Sequence, residues 1–210
     1  MENKSGTIFI VDDDKSIRRS LSLFLMAHDY KVETFSSSEE YLERGPYLGP
    51  GCIIIDVMLE GKSGLDLQEE LLTIGSHLPI IFITGQGNIH MSVQTMKRGA
   101  LNFLEKPFKD EELLQAVSEA MNLSHKMQAE TDEISSSMSL IKSLTSRESE
   151  ILKYLITGML NKQIAYELNI SERTIKIHRR NICEKLNVKS VPEIIRIADR
   201  AGVIPFRNKY

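Results

Sequence analysis

The chain has 210 residues, 41% of them apolar and 26% charged, with a formal net charge of −3. That is room for one large domain or two small ones. No apolar run approaches the ~18 residues of a membrane helix, and the N-terminus lacks a signal-peptide pattern, so a cytoplasmic chain with no membrane partner is expected.

Five short apolar runs recur through the first half: 7–11 (TIFIV), 31–35 (KVETF), 52–55 (CIII), 80–83 (IIFI) and 101–104 (LNFL). Segments with helical spacing lie between them, such as Ile17, Leu21, Phe24 and Leu25. Strands alternating with helices predict parallel βαβ units in a doubly wound α/β domain. The first, third and fourth runs are apolar throughout, as strands buried on both faces should be. The second alternates and reads as an edge. Cys52 and Cys183 sit far apart within apolar patterns, without metal spacing or a disulfide framework, and read as buried core thiols.

The first run ends in Asp12-Asp13-Asp14. Adjacent carboxylates repel, each ~4 Å contact costing about 4 kcal/mol at an effective dielectric near 20. The third run ends in Asp56, the fourth in Thr84, and the fifth is followed by Lys106-Pro107. In an open parallel sheet the chemistry lies beyond the carboxyl ends of the strands. Asp12, Asp13, Asp56, Thr84 and Lys106 should therefore converge, and the acids should hold a cation. Carboxylates on short loops suit Mg²⁺, with Mn²⁺ as the alternative. Asp14 is left to cap the following helix.

A helix is expected from Asp110, and residues 123–142 read as a linker, partly helical. From Thr145 onward only short helices are expected. Thr145-Ser-Arg-Glu148 and Ser190-Val-Pro-Glu193 are capping boxes, and Asn161 and Ser171 are further caps. The segments 161–168 and 171–186, joined at Asn169-Ile170, suggest a helix-turn-helix. Ile175, Ile182 and Leu186 line one face of the second. Arg173, Lys176, Ile177 and Arg180 lie roughly opposite, on a face suited to the DNA major groove. The charge balance agrees: residues 1–139 hold 12 Lys/Arg against 22 Asp/Glu, and residues 140–210 hold 14 against 7. A solvated basic face is the plainer reading of such a helix in isolation.

Two resemblances sharpen this reading. Residues 6–122 resemble the receiver domain of two-component response regulators, through VDDD (11–14), IIID (53–56), FITG (82–85) and EKPF (105–108). The resemblance implies a flavodoxin-like (βα)5 domain over 1–122 with strand order 2-1-3-4-5. Asp56 would be the phosphoacceptor. Asp13, Asp56 and the Met58 backbone carbonyl would ligate Mg²⁺, and Asp12 would hold a metal-bound water. Thr84 and Lys106 would bind phosphoryl oxygens, the Lys106–Pro107 bond would be cis, and Phe103 would follow Thr84 as a switch. The family usually has Met-Pro where this chain has Leu59-Glu60. Residues 144–204 resemble the LuxR-type DNA-binding domain, assigned to 143–210, through LTSRESEIL, NKQIA and TIKIHRRNICEKLNV. There Lys176, Ile177 and Arg180 would face bases, Lys162, Thr174, Arg179 and Lys189 would contact phosphates, Arg173 would belong to the same interface, and His178 would be a half-buried packing residue.

Together these imply a transcriptional regulator of the FixJ/NarL type. The phosphodonor would be a sensor histidine kinase and the target promoter DNA. Dimers would form on phosphorylation through the face of residues 88–98, 101–106 and 110–122, with RNA polymerase a further partner. No independent metabolic activity is expected. A phosphatase with Asp56 as nucleophile would need a second acid two residues on, and Met58 stands there. A phosphate-independent interaction module would not need the acidic pair and Lys106.

Overall fold

The computed structural model describes residues 5–85 and 96–206, which divide into two compact units, 1–128 and 129–210. In the first, strands β1 (Thr7–Val11), β2 (Lys31–Phe35), β3 (Gly51–Asp56), β4 (Ile80–Thr84) and β5 (Asn102–Glu105) form one parallel sheet. The order is β2-β1-β3-β4-β5, so β2 is an edge, as its alternation predicts.

The pleat divides the core. Ile8, Ile10, Cys52, Ile54, Ile81 and Ile83 face helix α1 (Lys15–Ala27) and the start of helix α4 (Asp110–Lys142). Phe9, Val11, Ile53, Ile55 and Phe82 face helices α2 (Ser38–Glu43) and α3 (Gly64–Thr73). Both faces of β1, β3 and β4 are buried, which accounts for their uninterrupted apolar runs. Burial pushes the Cys52 thiol up to about 12.

Local signals set the loops that carry the acids. Asp14 is the N-cap of α1, its carboxylate accepting from Ser16 N and Ile17 N. Ser63 and Asp66 form a capping box at α3. The next residue, Gly64, lies against the end of β3, where a Cβ would collide with the Asp56 carbonyl oxygen. Gly64 N also donates to Val57 O at 3.1 Å, closing the loop after Asp56 at its base.

Helix α4 includes all of residues 123–142, so the polar segment that reads as a partly helical linker is helix throughout. In the second unit follow α5 (Ser146–Leu155), α6 (Asn161–Glu167), α7 (Glu172–Leu186) and α8 (Val191–Arg200). Their core is Leu144, Ile151, Leu152, Leu155, Ile164, Ile175, Ile182, Leu186 and Ile194.

The capping box of Thr145 and Glu148 and the cap of Ser171 form as expected. Three expectations need correction. Asn161 is the first residue of α6, not its cap; the cap position is Leu160, whose N–H donates to Gln163 Oε1 at 2.7 Å. Ser190 does precede α8, but Glu193 accepts from Ser190 Oγ and from Lys189 N, so the box closes one residue early. Cys183 is only half-buried, because it stands beside the Ile175–Ile182–Leu186 stripe rather than in it.

Candidate functional site

At the carboxyl end of the sheet, β1 delivers Asp12 and Asp13 and β3 delivers Asp56. One carboxylate oxygen from each lies within 4.8 Å of the others. Asp12 is wholly buried, Asp56 nearly so, and Asp13 is exposed. Three carboxylates in one place need cations, and Lys106, beyond β5, supplies the first. Its Nζ lies 2.8 Å from Asp12 Oδ2 and 2.6 Å from Asp56 Oδ2. Burial raises the Asp12 carboxyl above its usual value, more than the Lys106 hydrogen bond lowers it. Burial also works against the Lys106 ammonium, but the hydrogen bonds and charges of Asp12 and Asp56 outweigh it and hold its pKa above the ordinary lysine value.

The remaining contacts fix directions. Asp12 Oδ1 accepts from Asp14 N at 2.8 Å. Asp56 Oδ1 accepts from Met58 N at 3.1 Å. Thr84 is buried at the end of β4, and its carbonyl accepts from Lys106 N at 2.7 Å, immediately before the cis Lys106–Pro107 bond. Phe103 is half-buried on β5, in register with Phe82. Met58 is 55% exposed, and Leu59, where the family usually has Met, is buried in the core. Sequence reasoning missed Arg18, whose Nη1 donates to the Asp12 backbone oxygen at 2.5 Å. The available signal was a basic residue in the first turn of the helix that Asp14 caps.

The oxygen-only donor set fits a hard divalent ion. It also fits phosphoryl transfer, which depends on placement and charge neutralisation.

In the second unit, α6 and α7 meet at Asn169, which takes φ +50°, in the left-handed region that asparagine tolerates. Ile175, Ile182 and Leu186 are buried. Arg173, Lys176, Ile177 and Arg180 are exposed on the other side of α7, and Lys162 on α6 and Lys189 beyond the end of α7 are exposed as well. Lys176 and Arg180 pair along the helix with Glu172 and Glu184, each at 3.4 Å. Thr174 is half-buried, with its hydroxyl on Ser171 Oγ at 2.8 Å, and Arg179 is half-buried with its guanidinium on Asn161 Oδ1. His178 is half-buried, and its Nδ1 has no partner among the described residues.

The chain matches the family model of the response regulator receiver domain over residues 8–118, and that of bacterial regulatory proteins of the luxR family over residues 142–198. It belongs to the two-component response regulators with a LuxR-type DNA-binding domain. Such a response regulator controls transcription. The chain is 40% identical over 200 residues to the response regulator protein TmoT of Ectopseudomonas mendocina, covering 95% of this chain and 91% of TmoT. It is 38% identical over 202 residues to the transcriptional regulatory protein FixJ of Azorhizobium caulinodans, covering 96% of each. Among solved structures it is similar to the response regulator StyR (TM-score 0.85, 40% identity, 92% of this chain and 98% of StyR). It is also similar to full-length FixJ from B. japonicum (TM-score 0.58, 34% identity, 96% of this chain and 100% of FixJ). Among the described residues of this response regulator, no helix is long and apolar enough to cross a membrane.

Proposed function

We propose that this response regulator is switched by phosphorylation of Asp56 and reads paired DNA half-sites as a dimer, acting as an activator. The observation that carries the reading is the meeting of the Asp12, Asp13 and Asp56 carboxylates with the Lys106 ammonium. The receiver would span residues 1–122, the linker 123–142 and the DNA-binding domain 143–210.

Asp56 is the nucleophile. One of its carboxylate oxygens attacks the phosphorus of a phosphohistidine on a sensor kinase. A P–O bond forms, the P–N bond breaks, and the released imidazole retains the electron pair and takes up a proton. Lys106 already lies on Asp56 and supports the charge that the incoming group brings. Asp13, Asp56 and the Met58 carbonyl would hold Mg²⁺ directly and Asp12 through a water. When bound, the ion neutralises charge on the transferring oxygens. The Thr84 hydroxyl binds a phosphoryl oxygen, and Phe103 follows it. Dimers then form through the face of residues 88–122, of which 88–95 lie outside the described residues.

Lys176, Ile177 and Arg180 contact base edges, with Arg173 beside them. Lys162, Thr174, Arg179 and Lys189 contact phosphates. Promoter DNA and RNA polymerase are the downstream partners.

The test is selection of duplexes from a random pool, before and after Mg²⁺ plus acetyl phosphate, for the wild type and Asp56→Asn. The phosphodonor is expected to tighten selection of a paired site in the wild type alone. Equal selection by both proteins under all conditions would remove phosphorylation from the DNA-binding step.

A further inference from the structure

We infer that Arg18 is a positioning residue for the acidic site: through the backbone of Asp12 it sets the direction in which Asp13 presents its carboxylate. The inference rests on the proposed Mg²⁺ site and adds a residue to it.

Every hydrogen-bonding group of Asp12 has a partner. Its N–H donates to Phe35 O at 3.2 Å. Its Oδ1 accepts from Asp14 N and its Oδ2 from Lys106 Nζ, both at 2.8 Å. Its carbonyl oxygen accepts from Arg18 Nη1 at 2.5 Å. The first three contacts fix the strand end and the buried carboxylate. Only the fourth acts on the peptide that joins Asp12 to Asp13. That peptide is planar, so holding its oxygen also holds its N–H, and with it the orientation of the Asp13 backbone. Asp13 itself is exposed and needs such a hold more than its buried neighbour. A charged donor on a carbonyl is stronger than a neutral one.

Arg18 is well anchored for this task. Asp14 caps α1 with two hydrogen bonds, and Arg18 N donates to Asp14 O at 3.0 Å in the first turn. The residue that reaches back to the loop therefore grows from the helix that the loop itself caps.

Two effects of removing Arg18 have opposite signs. Loss of a nearby positive charge would tighten Mg²⁺ binding. Loss of the hold on the Asp12–Asp13 peptide would weaken it. Groups that orient metal ligands typically contribute 10–100-fold to affinity, and a backbone hold belongs at the low end.

The experiment is calorimetric titration of the unphosphorylated full chain with Mg²⁺ alone. The proteins are the wild type, Arg18→Ala, Arg18→Lys and Arg19→Ala. Arg19 is exposed and removes the same charge from the next position of α1. Arg18→Ala is expected to weaken binding about tenfold. Arg18→Lys, which retains the charge but not the planar fork, should fall between it and the wild type. Arg19→Ala should bind at least as tightly as the wild type. A folded Arg18→Ala protein that binds Mg²⁺ as tightly as the wild type, or more tightly, overturns the inference. If Arg18→Ala does not fold, Arg18→Lys decides: unchanged affinity overturns it. A wild type that takes up no Mg²⁺ overturns the metal site itself, and this inference with it.

Discussion

Lys106 stands directly on the proposed phosphoacceptor, its Nζ 2.6 Å from Asp56 Oδ2. The same ammonium holds Asp12 at 2.8 Å, so one cation serves two buried acids. Truncating one partner of a buried pair costs about 3–5 kcal/mol. Lys106 keeps 18% of its side chain exposed, so Lys106→Met is expected to lose less, about 2 kcal/mol in urea titrations at neutral pH. Burial already raises the Asp12 carboxyl. Protonation there relieves the unpaired charge, so the deficit should shrink as pH falls toward the carboxylate range.

Asp13 is the exposed member of the cluster, beside two other acids. Asp13→Asn removes repulsion without opening a cavity. Its melting midpoint without Mg²⁺ should rise by about 2 °C, while the rise in midpoint expected of the wild type on adding Mg²⁺, if the proposed site binds it, should be absent.

The second unit has its own acid-sensitive contact. Glu148 is 3% exposed and accepts from Lys185 Nζ at 2.6 Å and from Thr145 N at 2.8 Å. The Lys185 hydrogen bond, against the opposing effect of burial, holds its carboxyl down at about 2. A lowered pKa contributes stability that is complete above the ordinary glutamate range and is lost as pH falls from about 4.5 to about 2. Glu148→Gln is therefore expected to cost about 2 kcal/mol at pH 7, since Lys185 stays partly solvated. The gap to the wild type should close across that window in denaturant titrations at stepped pH.

Salt separates the two kinds of proposed DNA contact. Lys162→Ala and Lys189→Ala should weaken binding to all sequences alike, each reducing the slope of log affinity against log salt by about 1. Lys176→Ala and Arg180→Ala should also relax base preference at one position each, by about 1–3 kcal/mol. Ile182→Ala is the control for folding. It empties part of the core beneath that face and should cost about 2–5 kcal/mol in stability.

The strands were legible because burial on both faces leaves a run of apolar residues that turns do not interrupt. The meeting of Asp12, Asp56 and Lys106 was legible because topology alone puts strand ends together. Arg18 was not: its partner is a backbone oxygen, which has no identity in a sequence, and an arginine on an amphipathic helix usually faces water. Asn161 failed as a cap prediction for a related reason. The cap position is Leu160, whose backbone N–H donates to Gln163 Oε1, while side-chain chemistry points to the asparagine next door. The engagement of Arg179 with Asn161 was equally hidden, since charge alone cannot say whether a guanidinium faces a neighbour or solvent. The helical state of residues 123–142 was only half visible, because exposed helix and polar linker share a composition.

The segment from Asp56 to Gly64 is clasped at its root. Gly64 lies against the Asp56 carbonyl, Leu59 is sunk in the core, and Lys62 is tied to Glu70 and, through its carbonyl, to Ser38 Oγ. Apart from the exposed Met58 side chain, Glu60 and Gly61 are the residues that stand clear, with Gly61 at φ +80° and open space around it. A hoop fastened this way does not need a stiff crown, which explains how glutamate can occupy the place where proline is usual. It also makes that crown a splice point: one or two extra glycines between Glu60 and Gly61 would lengthen the loop and leave the carboxylate of Asp56 where it is.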